Sequence, residues 1–164
     1  MDSAVRCIGA AALLFCSVIV IRGYRGFLAR RRQECDELLL IMRGLRREVE
    51  HFLTPLCKIF AKFASDKSVP SGMASRIADG MLPEEAFLES RDRLAVGEDG
   101  KEILGDLFSG LGQGYKDGAV AHISSCEKRF DEYVRHIKDE YEKNGRLVAV
   151  LVLGAALGLV ILFI

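Results

Sequence analysis

The chain has 164 residues, with 23 basic and 23 acidic side chains and half its residues apolar. That is length for one domain, and too apolar and too balanced in charge for intrinsic disorder. Three prolines and 16 glycines without a fixed period exclude collagen-like and low-complexity classes, and charge neutrality argues against nucleic acid as a partner. Mean hydropathy is nevertheless positive, +0.18, with 28% of residues charged. The apolar residues must therefore be concentrated in blocks.

The first block, Cys7 to Ile21, carries no charge, and Ala4 and Val5 lengthen it across Arg6. Residues 1–21 are read as an amino-terminal transmembrane helix. The same stretch fits the opening of a signal peptide. Where a small-x-small cleavage site would stand, however, the sequence has Arg22-Gly23-Tyr24-Arg25, so the segment is expected to stay as an anchor. Residues 22–32 form a basic juxtamembrane segment, with Arg22, Arg25, Arg30, Arg31 and Arg32 and no acid. Such a cluster serves as a topology signal touching anionic head groups, or as a protein-docking element.

Residues 33–146 are expected to form a cytosolic helical bundle. Leu38, Met42, Leu45, Val49 and Phe52 step by four and three, as a coiled-coil-like seam does. Thr54-Pro55 interrupts this helix, with Thr54 as N-cap and Pro55 opening a second one that carries Leu56, Ile59, Phe60 and Phe63. A loop is expected over 65–72, then a short helix over 73–79. A further helix runs from Pro83 to about Ala95, with Glu84 and Glu85 in its first turn. After a turn over 96–100, Lys101 to Leu111 reads as a helix with Ile103, Leu104, Leu107, Phe108 and Leu111 inward. Gly110, Gly112 and Gly114 then stop it. This glycine run lacks the Lys and Ser/Thr of a phosphate-binding loop.

From about Asp117, a second seam of Ala119, Ile123, Cys126, Phe130, Tyr133 and Ile137 continues toward Leu147, weakened only at Asn144-Gly145. Residues 147–164 are read as the carboxyl-terminal transmembrane helix, continuous with the long cytosolic one. Within it Gly154 and Gly158 have the GxxxG spacing that lets helix backbones pack closely in lipid, first of all against the chain's own first span. The fold expected is all-α. Positive residues flank both blocks on the side of the central domain, which places that domain in the cytoplasm and both termini outside it.

No catalytic, cofactor or metal constellation is found. His122 and Cys126 are four apart on a helix but lack a further ligand, and His51, His122 and His136 fall in no HExxH pattern. The five cysteines show no CxxC spacing and read as reduced, mostly packed thiols. No enzyme is expected. Residues 33–146 hold 17 basic against 22 acidic residues, and Glu84, Glu85 and Glu89 stand out as acids for docking a basic partner.

The layout resembles the stage III sporulation protein AB family. The resemblance rests on the short first span and its basic stretch, Thr54-Pro55-Leu56, the Leu111-Gly112 turn before His122-Ile123, and Lys143-Asn144-Gly145-Arg146 leading to Gly154 and Gly158. The family's usual Ser-Asp and Gly-Gln after that turn are replaced by Gly114-Tyr115 and Gly118-Ala119, with Asp117 in a position to take over the capping of the next helix. The resemblance implies a body similar to the cytosolic helical domains of inner-membrane platform proteins in type II secretion and type IV pilus systems. It implies a two-pass protein of the mother-cell membrane around the forespore. Its partners would be a secretion-type ATPase, stage III sporulation protein AA, other stage III sporulation membrane proteins and the lipid bilayer, and it would be open to homo-oligomers. The function implied is a non-catalytic platform of the mother cell–forespore channel. A membrane-anchored helical adaptor outside sporulation is the competing expectation.

Overall fold

The computed structural model describes residues 2–51, 54–111 and 116–163. The side chains before residue 15, those of 116, 117 and 140, and most beyond 141 are not among those described. Among the described residues six helices follow one another: α1 (Asp2–His51), α2 (Leu56–Ala61), α3 (Val69–Ala78), α4 (Pro83–Ser90), α5 (Glu98–Gly110) and α6 (Lys116–Phe163), with a 3-10 turn at Arg91–Arg93. No strand occurs among the described residues, as the all-α expectation requires. Helix α6 continues through Asn144-Gly145 without a break.

The chain forms two compact units, Arg30–His136 and a second one made of Met1–Ala29 with Ile137–Ile164. In the first, both seams turn inward. Leu38, Met42 and Leu45 of α1 and Ile123, Cys126 and Phe130 of α6 are buried in one cluster with side chains from all four short helices. Val49 packs at its edge, whereas Phe52 lies outside the described residues. Side-chain pairs fix the direction of the two helices. Arg31 bonds Tyr133, Arg43 pairs with Asp131 and Glu127, and Arg46 pairs with Glu127. Numbers rise along α1 as they fall along α6, so the helices run antiparallel. The aromatic centre is the Phe87–Phe108 stack, with ring centroids 5.5 Å apart and Phe60 at 6.3 Å from Phe108. All five inward residues expected of α5 are buried.

Several boundaries differ from the sequence reading. Thr54 does not cap α2. Pro55 occupies the cap position, its carbonyl accepting from Lys58 and Ile59 backbone N–H groups, while the Thr54 hydroxyl donates to Glu48 at 3.2 Å. Lys62 donates to the other Glu48 oxygen, and this bond, the largest influence, holds the Glu48 carboxyl below its usual range. The loop expected over 65–72 ends early, because Ser68 and Ser71 form a reciprocal capping box and Pro70 fits the first turn, so α3 starts at Val69. Ser68 Oγ also donates to Glu37 of α1 at 2.8 Å. α3 ends where Gly80 takes φ +103°. The Met81 N–H reaches the Arg76 carbonyl and the Gly80 N–H that of Ile77, the paired bonds of a glycine-terminated helix. α4 stops at Ser90 rather than near Ala95, and α5 begins at Glu98, inside the expected turn.

In the second unit, the described apolar side chains Phe15, Val18, Ile19, Val20, Val150 and Leu151 are exposed. Among the described residues, no helix is long and apolar enough to cross a membrane. Both apolar runs fall largely on side chains outside the description.

Candidate functional site

Two features of the Arg30–His136 unit combine residues that the sequence left apart. The first is a polar clamp on the connection between α4 and α5. Glu34 on α1 is 3% exposed. One carboxylate oxygen accepts from Arg30 Nε at 2.8 Å, the other from the Ala95 backbone N–H at 2.7 Å. Arg30 also donates through Nη2 to the Arg93 carbonyl at 3.3 Å. A buried carboxylate is tolerated only when its charge is met by such donors. Beside it, the Tyr133 hydroxyl of α6 accepts from Arg31 Nη2 at 2.9 Å and from the Gly97 N–H at 2.8 Å. The short connector is thus tied to both long helices. Two glycines make the approach possible: a Cβ at Gly97 would stand 2.5 Å from Arg31 Nη2, and one at Gly100 2.6 Å from the Tyr133 ring.

The second feature is a groove of about 450 Å³ between α4 and α5. Glu84, Phe87, Leu88 and Arg91 line one wall at i, i+3, i+4 and i+7, a single helix face. The facing wall includes Glu98, Lys101, Glu102 and Gly105 with the same spacing, together with Asp99 and Asp106. Five carboxylates meet two bases. Both bases are held by Glu98, Lys101 at 3.0 Å and Arg91 at 3.3 Å, and the Lys101 bond is the main reason the Glu98 carboxyl lies below its usual range. Asp106 pairs with Arg129 at 2.8 Å. Glu84, Asp99 and Glu102 make no salt bridge among the described residues. Of the three docking acids expected from sequence, Glu84 lines this groove, Glu85 is exposed beside it, and Glu89 is paired with Arg76 at 3.0 Å.

A family model matches residues 6–164 of the chain, and its description is stage III sporulation protein AB. The chain belongs to the stage III sporulation protein AB family. No curated protein and no solved structure matches it.

Seen as a stage III sporulation protein AB chain, the segments that carried the resemblance take distinct places. Pro55-Leu56 opens α2, and Leu111 closes α5 in extended backbone. Gly112, Gly114 and Tyr115 lie outside the described residues, as does the Asp117 side chain. His122 has a structural partner: its Nε2–H donates to the Asp106 carbonyl at 2.9 Å near the end of α5. Its ring fills the space over Gly110, where a Cβ would come within 2.3 Å. Cys126 lies 3.9 Å from the same nitrogen, and burial pushes its thiol pKa up. No group of three or more His, Cys, Asp and Glu placed to hold a metal is found among the described residues. Of the basic cluster, Arg30 and Arg31 turn to the clamp, Arg32 lies 4.0 Å from Asp36, and Arg22 and Arg25 are exposed. Gly154 and Gly158 are exposed, and among the described residues nothing lies within 4 Å of a Cβ added at either.

Proposed function

We propose that this sporulation protein is a non-catalytic membrane platform, whose helical body stands in the mother-cell cytoplasm and docks a secretion-type ATPase to the channel between mother cell and forespore. Family membership over residues 6–164 supports the sporulation role. The observation that carries the platform role is that α1 and α6 each combine two different surfaces. Each has an uncharged apolar run toward its outer end and a buried seam in the Arg30–His136 body. A helix with an apolar exterior suits lipid, and exposed Phe15, Val18, Ile19, Val150 and Leu151 fit that use. Two such helices would tether the clamped body to the membrane. Energy for transport would come from the ATPase.

The test is reconstitution of the full chain in detergent with stage III sporulation protein AA. A stable complex is expected, with ATP hydrolysis belonging to the ATPase and none to the platform alone. Absence of any complex, or hydrolysis by the platform itself, would overturn the proposal.

A further inference from the structure

We infer that the groove between α4 and α5 receives a basic amphipathic helix of the ATPase, with an apolar side chain seated over Gly105 and Phe87. This inference rests on the platform reading and specifies where its partner binds.

Three observations converge on it. The first is shape. The walls are two helix faces of matching i, i+3, i+4, i+7 spacing, Glu84 to Arg91 and Glu98 to Gly105. A trough between two helices accepts the side-chain ridge of a third. The second is chemistry along the trough. Leu88 is 58% exposed on one wall, the buried Phe87 ring contributes to the floor, and Glu84, Asp99 and Glu102 stand around them without salt bridges among the described residues. An apolar strip rimmed by carboxylates outside those salt bridges is complementary to a helix with an apolar stripe and Lys or Arg beside it. The third is Gly105. It lies inside α5, where glycine is less favourable than alanine. No backbone requirement keeps it there: its φ is not in the left-handed region, and an added Cβ would meet Phe87 Cε1 at 3.5 Å, an ordinary contact. Gly110 and Gly100, by contrast, are crowded by His122 and by Tyr133. The absent side chain at 105 leaves room over Phe87 that the fold itself does not use.

The assignment also separates the acids. Glu89, which Arg76 holds, lies outside the trough and has no part in binding.

The experiment measures affinity of the detergent-solubilised full chain for the ATPase by biolayer interferometry, with each variant's melting curve recorded in parallel. Gly105→Ala is expected to melt no lower than the native chain, and Gly105→Leu, which fills the trough, to bind at least 10-fold more weakly while remaining helical. Leu88→Asp and the pair Glu84→Lys with Glu102→Lys should weaken binding by a similar factor. Glu89→Lys should bind as the native chain does, and affinity should fall as salt rises. Native-strength binding by Gly105→Leu, Leu88→Asp and the charge-reversed pair would overturn the groove while leaving the platform reading intact. No binding by the native chain would overturn the platform reading and this inference together.

Discussion

The carboxylate of Glu34 and the backbone N–H of Ala95 meet at 2.7 Å across 61 positions of sequence. Together with the Tyr133 hydroxyl on Gly97, this contact sets the connector that carries α4 into α5, and so fixes the separation of the groove walls. Both bonds are part-buried, where an unmet donor costs more than at an open surface.

Replacing Glu34 by Ala leaves the Ala95 N–H and the Arg30 guanidinium without their acceptor, and should lower stability by about 2–3 kcal/mol. Tyr133→Phe should cost about 1–2 kcal/mol by removing one oxygen that accepts two donors. Because the two residues hold the same connector, the double variant should lose less than the sum of the single losses. Denaturant titration of the full chain in detergent, followed by helical circular dichroism, measures all three.

A glycine provides a test of opposite sign. Gly44 lies inside α1, so Ala there should gain about 1 kcal/mol from helix propensity alone. An added Cβ, however, would stand 2.3 Å from Phe63 Cζ. Gly44→Ala should instead destabilise by about 1–3 kcal/mol through overpacking. Phe63→Leu in the same chain should recover part of that loss. A melting temperature that rises for the single variant would show that the ring moves aside freely.

The thiols should differ in reactivity. Cys126 is buried, and desolvation raises its pKa, with Asp106 adding to the rise and Arg129 opposing it. Cys57 is exposed. At neutral pH the raised pKa of Cys126 lowers its own thiolate fraction, and its burial limits access, whereas Cys57 is open to solvent. Alkylation of the native chain followed by peptide mass spectrometry should find Cys57 modified at least 10-fold faster than Cys126.

The helical body was largely legible because its signal is periodic. Leu38, Met42 and Leu45 of the first seam, Ile123, Cys126 and Phe130 of the second, and the five apolar residues from Ile103 to Leu111 are buried, since a buried stripe needs only the helix repeat. The clamp was not legible. Arg30 and Arg31 stood out as charge density, and nothing local says that they turn to Arg93 and Tyr133, 63 and 102 positions away. Glu34 looked like one acid among several. The start of α3 was missed because its capping box uses Ser71 where Glu or Gln is the usual partner. The groove was half seen. Glu84 was singled out with its neighbours in sequence, but its neighbours in space are Asp99 and Glu102 on α5, while Glu89 turns to Arg76.

The central claim is that the helical body lies in the cytoplasm between two spans. The most direct test is cysteine accessibility in vegetatively growing cells expressing the full chain. In one variant exposed Cys57 is the sole cysteine; in the other all native cysteines are replaced and Ser3→Cys is introduced. A membrane-impermeant maleimide should label the cysteine at position 3 in intact cells and reach Cys57 only after permeabilisation. Labelling of Cys57 in intact cells, with position 3 shielded, would contradict the account.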